Sequence, residues 1–422
     1  MLRMLILADD LSGAADCGVA FRHAGLHTIV ALGDIAGGAR SEVLSIDADT
    51  RALAEESATE KVGSLVRKYA RDRDLLLFKK IDSTLRGHVA AEIAAMLDAY
   101  RSLHPGSDPP VAVLAPAFPS IGRTTINGFQ LVHGTPLHEH EIWQLQGLSH
   151  QPYLPDMLQK AGLTSALLPL ELIRSAGLVG AMSLSANHAD VLVCDAETET
   201  DLEAIARASM KLSRKTIWVG SAGLAYHLPQ AALLGPLTIA KEDELPPLAG
   251  PLLFVIGSLS RRSYEQIQVL TSSSATHRIS VPPDILLAGP QSAHWQDYER
   301  NLAEAIAMNR DVVLGPGSEL QVEMPHRPRL SASLARMTSS VSGRIGGLIA
   351  AGGETARVLL QSWGVTGLRL IGELEKGVPV STTEDWSRQL PVITKAGDFG
   401  RPETLLHCAQ FLHSPQTKEA CL

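Results

Sequence analysis

Cysteine and aromatic residues are scarce in this chain of 422 residues. The four cysteines are widely spaced and form no Cys-x-x-Cys pair, so the pattern contains neither a zinc nor a redox motif and fits a reducing compartment. Aromatic residues make up 4% of the sequence, which argues against a base-stacking surface for single-stranded nucleic acid. The net charge of −8 likewise disfavours binding to a phosphate backbone.

Long apolar runs are also missing. No stretch reaches the roughly 18 apolar residues that a membrane helix needs, and the apolar start Met1–Ala8 is too short for a signal peptide. We therefore expect a cytoplasmic protein without membrane or nucleic-acid partners. The sequence leaves the oligomeric state open, with a homodimer as one alternative.

Short apolar runs alternate with segments of helical period, which is typical of parallel sheets covered on both faces. The charged, proline-rich segment 241–251 interrupts the alternation and has a linker composition. We predict an α/β fold of two doubly wound domains, residues 1–247 and 248–422, with mostly parallel sheets and an active-site cleft between the domains. The predicted strands are Leu5–Ala8, Thr28–Leu32, Val43–Ile46, Leu75–Phe78, Val111–Ala115, Val191–Cys194, Ile217–Gly220, Leu252–Ile256, Asp311–Leu314, Gly347–Ala350, Leu368–Ile371 and Pro391–Thr394.

Cations, a carboxylate and hydroxyl groups cluster directly after the predicted strand Leu75–Phe78, in the segment 79–87. Open α/β sheets bind ligands at the carboxyl ends of their strands. Arginine can bind a carboxylate through two hydrogen bonds, and lysine supplies a point charge. Lys80, Asp82 and Arg86 therefore favour a small, anionic, hydroxyl-rich ligand such as a polyhydroxy acid. The alternative is a polar turn in which Ser83 or Thr84 caps the next helix.

Two adjacent carboxylates, Asp9 and Asp10, follow the first strand, and Arg51 follows the third. Paired acids at a strand end could bind substrate hydroxyls, hold a metal or accept a proton. The alternative is that Asp10 or Ser12 caps the following helix. The segment 116–128 carries Arg123 and Asn127, which could add substrate or phosphate contacts or belong to a rigid connection.

Three glycine-containing turns follow strands in the C-terminal half, at 257–260, 351–356 and 395–400. Glycine lets the backbone approach phosphates closely, and helix N-termini present free N–H donors to anions. Three such turns in one domain favour a site for nucleotide phosphates. None of them matches the P-loop pattern or the Gly-x-Gly-x-x-Gly fingerprint.

Taken together, these blocks resemble the four-carbon acid sugar kinases, in order and over nearly the whole chain. The resemblance implies an ATP-dependent kinase for threonate, erythronate or 3-oxo-tetronate, with an N-terminal acid-sugar-binding domain and a C-terminal nucleotide-binding domain. The block 81–87, Ile-Asp-Ser-Thr-Leu-Arg-Gly, looks more like the D-threonate branch than the 3-oxo-tetronate branch. We therefore expect phosphorylation of the C4 hydroxyl of D-threonate.

The resemblance also implies which residues bind the two substrates. In addition, we expect Asp82 or Asp10 to orient the attacking hydroxyl and take its proton. Mg²⁺ would bridge phosphate oxygens, and the sequence does not identify its protein ligands. The expected acid-sugar site comprises Asp10, Arg51, Lys80, Ile81, Asp82 and Ser83, to which the residue chemistry adds Arg86. The expected ATP site comprises Ser258, Gly352, Gly353, Glu354, Thr355 and Gly397.

Two other functions use similar features. A nucleotide-dependent oxidoreductase shares this architecture, but its fingerprint and the acid about 20 residues further on are missing. A non-enzymatic sensor of acid sugars would need no second domain for phosphates, so the glycine turns count against it.

Overall fold

The computed structural model describes residues 1–34, 41–140, 143, 151–235, 245–317 and 327–414. The chain forms two compact units, one of residues 1–28 and 36–239 and the other of residues 29–35 and 240–422. A short piece of the N-terminal sequence thus belongs to the second unit. The expected position of the active site between two domains stays a prediction.

Buried apolar segments and the helices between them build the N-terminal part of the chain. The elements are β1 (Met4–Ala8), α1 (Leu11–His23), β2 (Thr28–Ala31), β3 (Val43–Asp47), α2 (Glu55–Tyr69), β4 (Leu76–Lys80), α3 (Val89–Leu103), β5 (Val111–Ala115), β6 (Arg123–Ile126), β7 (Phe129–Val132), β8 (Thr135–Pro136), α4 (Leu154–Lys160), β9 (Ser165–Leu168), α5 (Leu170–Ile173), α6 (Leu178–Ala186), β10 (Val191–Cys194), α7 (Glu199–Ser209), β11 (Thr216–Gly220), α8 (Ala222–Ala225) and α9 (Leu228–Ala231).

The sheet of the first unit is parallel, with the strand order β3-β1-β4-β11-β5-β10-β9. The chain runs from β1 to β3 on one side and then crosses to β4 on the other, so the order reverses between β1 and β4. In open α/β sheets, ligands bind outside the carboxyl ends of the strands at such a switch point. Asp9 and Lys80 lie at that switch point.

The helices pack on the sheet through apolar faces. In α2, the buried residues Ala58, Val62 and Val66 are four positions apart, which places them on one face of the helix. Glutamates in its first turn and basic residues in its last turn complement the helix dipole. Phe21, Phe78 and Trp218 belong to the core that these helices and the sheet enclose.

Strand β4 continues two residues beyond the predicted end at Phe78, so Lys79 and Lys80 are strand residues. Neighbouring strand residues point to opposite faces of the sheet. The Lys79 ammonium forms an ion pair with Glu92 of α3 at 2.6 Å, with both side chains buried. Of the two lysines, Lys79 therefore serves the packing of α3, and Lys80 is the one that reaches the switch point.

The segment 116–128, for which the sequence offered a rigid connection as one alternative, is only partly a loop. It includes β6, which pairs with β7 in a separate antiparallel sheet of order β6-β7-β8. The turn between β6 and β7 is Asn127-Gly128, with φ of 51° and 76°. Two successive positive φ angles define the tight hairpin turn for which Asn-Gly is the preferred sequence.

The elements of the second part of the chain are β12 (Leu252–Ile256), α10 (Arg261–Ser273), β13 (His277–Val281), α11 (Pro283–Ala288), α12 (Trp295–Ala307), β14 (Val312–Pro316), α13 (Arg327–Thr338), β15 (Gly347–Ala351), α14 (Gly353–Ser362), β16 (Gly367–Glu375), β17 (Val378–Glu384), β18 (Pro391–Lys395) and α15 (Thr404–His413). The second unit contains a mixed sheet of order β13-β14-β12-β15-β18-β17-β16-β2. The five strands β13, β14, β12, β15 and β18 are parallel, whereas β17 and β16 run antiparallel, and β2 pairs antiparallel with β16.

The second sheet also has a switch point, between β12 and β15. The chain visits β13 and β14 on one side of β12 before it crosses to β15 on the other. Phe254, Ile349 and Ile393, one from each of three adjacent strands, lie in the core of this unit. The fold is thus α/β with mostly parallel sheets, as predicted. Of the helices in the described residues, none combines the length and apolarity that crossing a bilayer requires.

Candidate functional site

Arg51 joins the two carboxylates that follow β1. Its Nε donates to Oδ2 of Asp9 and its Nη1 to Oδ2 of Asp10, both at 2.7 Å. The other oxygen of Asp10 accepts from the Gly13 N–H at 2.8 Å and caps α1. Asp10 therefore caps the helix, as the alternative interpretation proposed, and at the same time belongs to a charged cluster.

The charges of this cluster hold one another in their ionised forms. Burial alone would raise the pKa of Asp9, but Arg51, Lys80 and Lys79 outweigh it and lower the pKa. Burial would lower the pKa of Lys80, but Asp9 and Asp10 outweigh it and raise the pKa. The cluster is thus a set of fixed charges at the switch point, where they act more strongly than in bulk water.

Lys80 reaches across the first turn of α1. A Cβ atom added to Gly13 would come within 2.5 Å of the Lys80 Nζ atom, so the ammonium lies directly against the glycine backbone. The missing side chain at position 13 provides this space. Lys80 thus brings a positive charge to a helix N-terminus, where the dipole and free N–H groups also favour anions.

Asp82 is the centre of a second, adjoining group. Its Oδ2 accepts from the Thr84 hydroxyl at 2.5 Å and forms an ion pair with the Arg86 Nε. Burial opposes ionisation of Asp82, but Arg86 and Arg51 keep its pKa far below the usual range. Arg86 is half exposed. Thr84 therefore orients Asp82 and does not cap a helix, because α3 begins at Val89 without a side-chain cap.

Three hydrogen bonds fix the backbone from Ile81 to Gly87, one within the segment and two to other parts of the first unit. The Ile81 N–H donates to the Gly220 carbonyl at 2.9 Å, and the Leu85 N–H donates to the Asp82 carbonyl at 2.9 Å. Leu85 has a φ of 57°, an uncommon conformation for a bulky residue that persists only where the surroundings enforce it. The Ser83 carbonyl accepts from the Gln130 side chain at 2.8 Å.

The structure thus brings together all the residues of the expected acid-sugar site, at the ends of three adjacent strands. Sequence reasoning missed three further residues: Gly13, Thr84 as a partner of Asp82, and Gln130. The signal in the sequence is the glycine itself, which lies in the same short block as Asp9 and Asp10. Its missing side chain leaves the space that Lys80 occupies. Asn127 donates its backbone N–H to Asp195 at 2.5 Å, and a ligand contact by Asn127 or Arg123 stays a prediction.

In the second unit, the three glycine turns meet at the ends of β12, β15 and β18. A Cβ on Gly397 would lie 2.1 Å from the Ser258 Oγ, and one on Gly352 would lie 3.7 Å from the Ser258 N. A Cβ on Gly257 would lie 1.9 Å from the Thr355 Oγ1. Gly352 has a φ of 107°, which favours glycine. Close backbone approach of this kind suits a ligand that must contact main-chain N–H groups.

The Gly397 carbonyl accepts three hydrogen bonds, which fixes the third turn. The donors are the Ser260 hydroxyl at 3.0 Å, the Ser263 hydroxyl at 2.8 Å and the Lys395 ammonium at 3.1 Å. Ser260 also caps α10. Lys395 is buried, and burial lowers its pKa to about 8. The three turns thus form one surface, and the helices α10 and α14 begin at it.

Metal ions in proteins are typically held by clusters of His, Cys, Asp or Glu side chains. Within the described ranges, no group of three or more His, Cys, Asp or Glu residues is arranged to hold a metal ion. A magnesium ion bound through substrate phosphates needs only one or two carboxylates from the protein. The described residues are therefore compatible with a cation that arrives with a nucleotide.

Two family models match successive parts of the chain. A family model described as "Sugar-binding N-terminal domain" matches residues 4–228, and one described as "Nucleotide-binding C-terminal domain" matches residues 253–405. The chain is 36% identical to a D-threonate kinase of Cupriavidus necator, covering 99% of both proteins. It is 27% identical to a D-erythronate kinase of Heliobacterium modesticaldum, covering 98% of this chain and 97% of that protein. A solved structure from Salmonella typhimurium LT2 matches with a TM-score of 0.77 at 22% identity, covering 98% of this chain and 100% of the other, so the fold is shared.

Proposed function

The chain belongs to the four-carbon acid sugar kinase family, and from this premise we propose that it transfers the γ-phosphoryl group of ATP to the C4 hydroxyl of D-threonate. The observation that carries the proposal is the charged cluster at the first switch point, in which Arg51 joins Asp9 and Asp10 beside Lys80. A four-carbon sugar acid offers one carboxylate to the cations and several hydroxyls to the carboxylates. The product would be 4-phospho-D-threonate.

In this proposal the cations hold the substrate carboxylate. Lys80 supplies a point charge at the N-terminus of α1, and the guanidinium groups of Arg51 and Arg86 can bind a carboxylate with directed hydrogen bonds. Arg51 is already held by Asp9 and Asp10, so its orientation is set before the substrate arrives. Such preorganisation reduces the entropy lost on binding.

The C4 hydroxyl would be oriented by Asp82 or Asp10. Both hydrogen bonds that Asp82 accepts from described side chains go to Oδ2, which leaves Oδ1 for the hydroxyl. Asp10 uses one oxygen for the Gly13 N–H and the other for Arg51. These contacts favour Asp82 as the residue that orients the hydroxyl.

Proton transfer would come late. In a loose phosphoryl-transfer transition state the bond from phosphorus to ADP is largely broken before the new bond to O4 is complete. The hydroxyl becomes acidic only as its oxygen bonds to phosphorus, so a weak base is sufficient to take the proton. Asp82, with its strongly lowered pKa, fits this role of positioning first and accepting the proton afterwards.

ATP would bind to the glycine turns of the second unit. We assign the phosphates to Ser258, to the segment 352–355 and to Gly397, because the backbone is accessible there and two helices begin there. Mg²⁺ would neutralise the phosphate charge during transfer. Glu354 lies exposed in the first turn of α14, where its charge would repel a phosphate unless a cation lies between them, so we propose it as a magnesium ligand.

An assay of ADP release over a panel of acids tests the proposal. The purified protein would be supplied with ATP and D-threonate, D-erythronate, 3-oxo-tetronate or no acid, each with and without Mg²⁺. We expect the highest kcat/KM with D-threonate and a requirement for Mg²⁺. A higher kcat/KM with D-erythronate or 3-oxo-tetronate would identify that acid, and not D-threonate, as the preferred substrate. The absence of acid-dependent ADP release from the whole panel would refute the kinase proposal.

Two further measurements on the same panel of acids, NAD absorbance and acid binding, address the rival functions. An oxidoreductase would change the absorbance of NAD in the presence of the acid, and a sensor would bind the acid without consuming ATP. A phosphorylated product identified by ³¹P NMR at a primary carbon would establish the position of transfer.

A further inference from the structure

We propose that Gln130 is a positioning residue for the acid-sugar site, acting on the Ser83 backbone from the separate hairpin sheet. The inference rests on the proposed function, because it assigns Ser83 and Asp82 to substrate binding. Gln130 lies in β7, almost fifty residues further along the chain, and its side chain has no exposed surface. A buried amide requires hydrogen-bond partners for both its N–H and its oxygen atoms.

The two ends of the Gln130 amide are both engaged. Nε2 donates to the Ser83 carbonyl at 2.8 Å, and Oε1 accepts from the Thr125 hydroxyl at 2.8 Å. Thr125 is itself fully buried in β6. A buried amide that lost either partner would bear the cost of an unsatisfied polar group. The Thr125 bond therefore fixes the amide orientation, and the amide in turn fixes the carbonyl of Ser83.

The hairpin that carries Gln130 is anchored independently of the substrate segment. Asp195, directly after β10, accepts from the Asn127 and Gly128 N–H groups at the hairpin turn. The Thr125 N–H donates to the Ala196 carbonyl at 2.8 Å, and the Ala196 N–H donates back at 3.0 Å. A continuous path of hydrogen bonds thus leads from the end of β10, through the hairpin, to Ser83.

The turn around Ser83 is closed by the bond from the Leu85 N–H to the Asp82 carbonyl, and Gln130 adds a bond to the Ser83 carbonyl itself. The segment 81–87 forms no helix or strand, and Leu85 within it has a left-handed conformation. The Ser83 carbonyl belongs to the peptide between Ser83 and Thr84. A rotation of that peptide would disturb the residues on either side of it, and Thr84 holds the Asp82 carboxylate through its hydroxyl. We infer that Gln130 keeps the Asp82 and Ser83 side chains in their binding orientation and thereby lowers the KM for the acid.

The test compares Gln130→Met with Ser209→Ala. Methionine has nearly the same shape as glutamine but neither donates to Ser83 nor accepts from Thr125. Ser209 is a matched control, since its buried hydroxyl accepts a hydrogen bond from the Trp218 indole at 2.8 Å and lies in the first unit away from the switch point. We expect Gln130→Met to raise the KM for D-threonate about tenfold, the value of one buried hydrogen bond, with the KM for ATP within twofold of wild type.

Ser209→Ala should lower the melting temperature comparably and leave both KM values unchanged. A folded Gln130→Met protein with wild-type KM for D-threonate would overturn the inference, as would equal changes in both KM values. If Gln130→Met does not fold, Gln130→Leu serves instead, because leucine has a similar volume, places no charge in the buried position and cannot donate to Ser83. The same rise in KM is expected for it, and a wild-type KM would again overturn the inference.

Binding measurements separate this inference from the proposed function. Calorimetric titration of D-threonate into wild type and Gln130→Met reports acid binding without turnover. A wild-type protein that binds the acid but releases no ADP would refute the kinase proposal alone. Equal dissociation constants for wild type and Gln130→Met would refute the role of Gln130 alone.

Discussion

Gly13 and Lys80 lie so close together that a single methyl group at position 13 would come within 2.5 Å of the Lys80 ammonium nitrogen. The same methyl group would lie 2.7 Å from the Asp10 Oδ1. Both clashing atoms are side-chain ends, and moving Asp10 Oδ1 weakens only the capping bond from the Gly13 N–H. A substitution at Gly13 therefore displaces charges of the cluster and leaves the fold in place.

We expect Gly13→Ala to raise the KM for D-threonate at least tenfold with little change in stability. Alanine is favoured over glycine inside a helix by up to about 1 kcal/mol, which is comparable with the cost of weakening the Asp10 cap of α1. Steady-state kinetics and thermal melting check this expectation. The control is Gly180→Ala in α6, where a Cβ meets nothing within 4 Å, and its kinetics should match wild type. Unchanged acid KM in Gly13→Ala would show that the position of Lys80 is irrelevant to binding.

Asp82→Asn should abolish turnover and leave ATP binding nearly intact. The amide keeps the shape of the carboxylate but cannot take the proton of the C4 hydroxyl, and it loses the charge that holds Arg86. ATP affinity can be measured by calorimetry and turnover by ADP release. Asp10→Asn is the informative comparison, since Asp10 is the other candidate for the base. Wild-type turnover in Asp82→Asn would remove Asp82 from the mechanism.

Removing one member of the buried Lys79–Glu92 pair should destabilise the first unit by about 3–5 kcal/mol, because the remaining charge would be left buried and unpaired. We expect this loss for Glu92→Leu and for Lys79→Met in urea unfolding. The double substitution should recover most of the stability, since both charges are then gone. Additive losses in the double variant would contradict the view that the cost arises from an unpaired charge.

Lys395 should make the stability of the protein rise with pH in the alkaline range. Its folded-state pKa is about 8, below the ordinary value of 10.5, because of burial. Above pH 8 the unfolded chain binds more protons than the folded one, so raising the pH favours the folded state. The difference in unfolding free energy between wild type and Lys395→Met should move in favour of wild type by about 2 kcal/mol between pH 7 and pH 9.5. A pH-independent difference would show that Lys395 titrates normally.

Much of this architecture could be predicted from the sequence because it depends on local pattern. Val111–Ala115, Val191–Cys194 and Leu252–Ile256 are strands with the predicted bounds, since continuous apolar runs mark strands buried on both faces. The end of β4 was misplaced, because Lys79 and Lys80 read as a polar segment. A charged residue stays in a buried strand only if it finds a partner, and the partner, Glu92, lies in another element.

Some residues of the candidate site could likewise be predicted from the sequence, and others could not. Asp10, Arg51, Lys80 and Asp82 could be expected to meet because each lies at or just after the end of a strand, and parallel strands end at the same edge. Gln130 could not be expected, because it joins the site through a hairpin whose position depends on contacts distant in sequence. The Asn127-Gly128 turn signal would have revealed the hairpin, but not which of its side chains faces Ser83.

The pairing of β2 with β16 has a consequence for how the chain is made. A ribosome releases β2 hundreds of residues before Gly367–Glu375, its partner in the second sheet. Until then the N–H and C=O groups on the β16 side of β2 are unpaired, as are those on the β2 side of β16 in any fragment that starts at residue 240. Exposed strand edges invite pairing with other chains. Expressing the second unit alone should therefore yield aggregates, and supplying residues 24–34 at its N-terminus should reduce them.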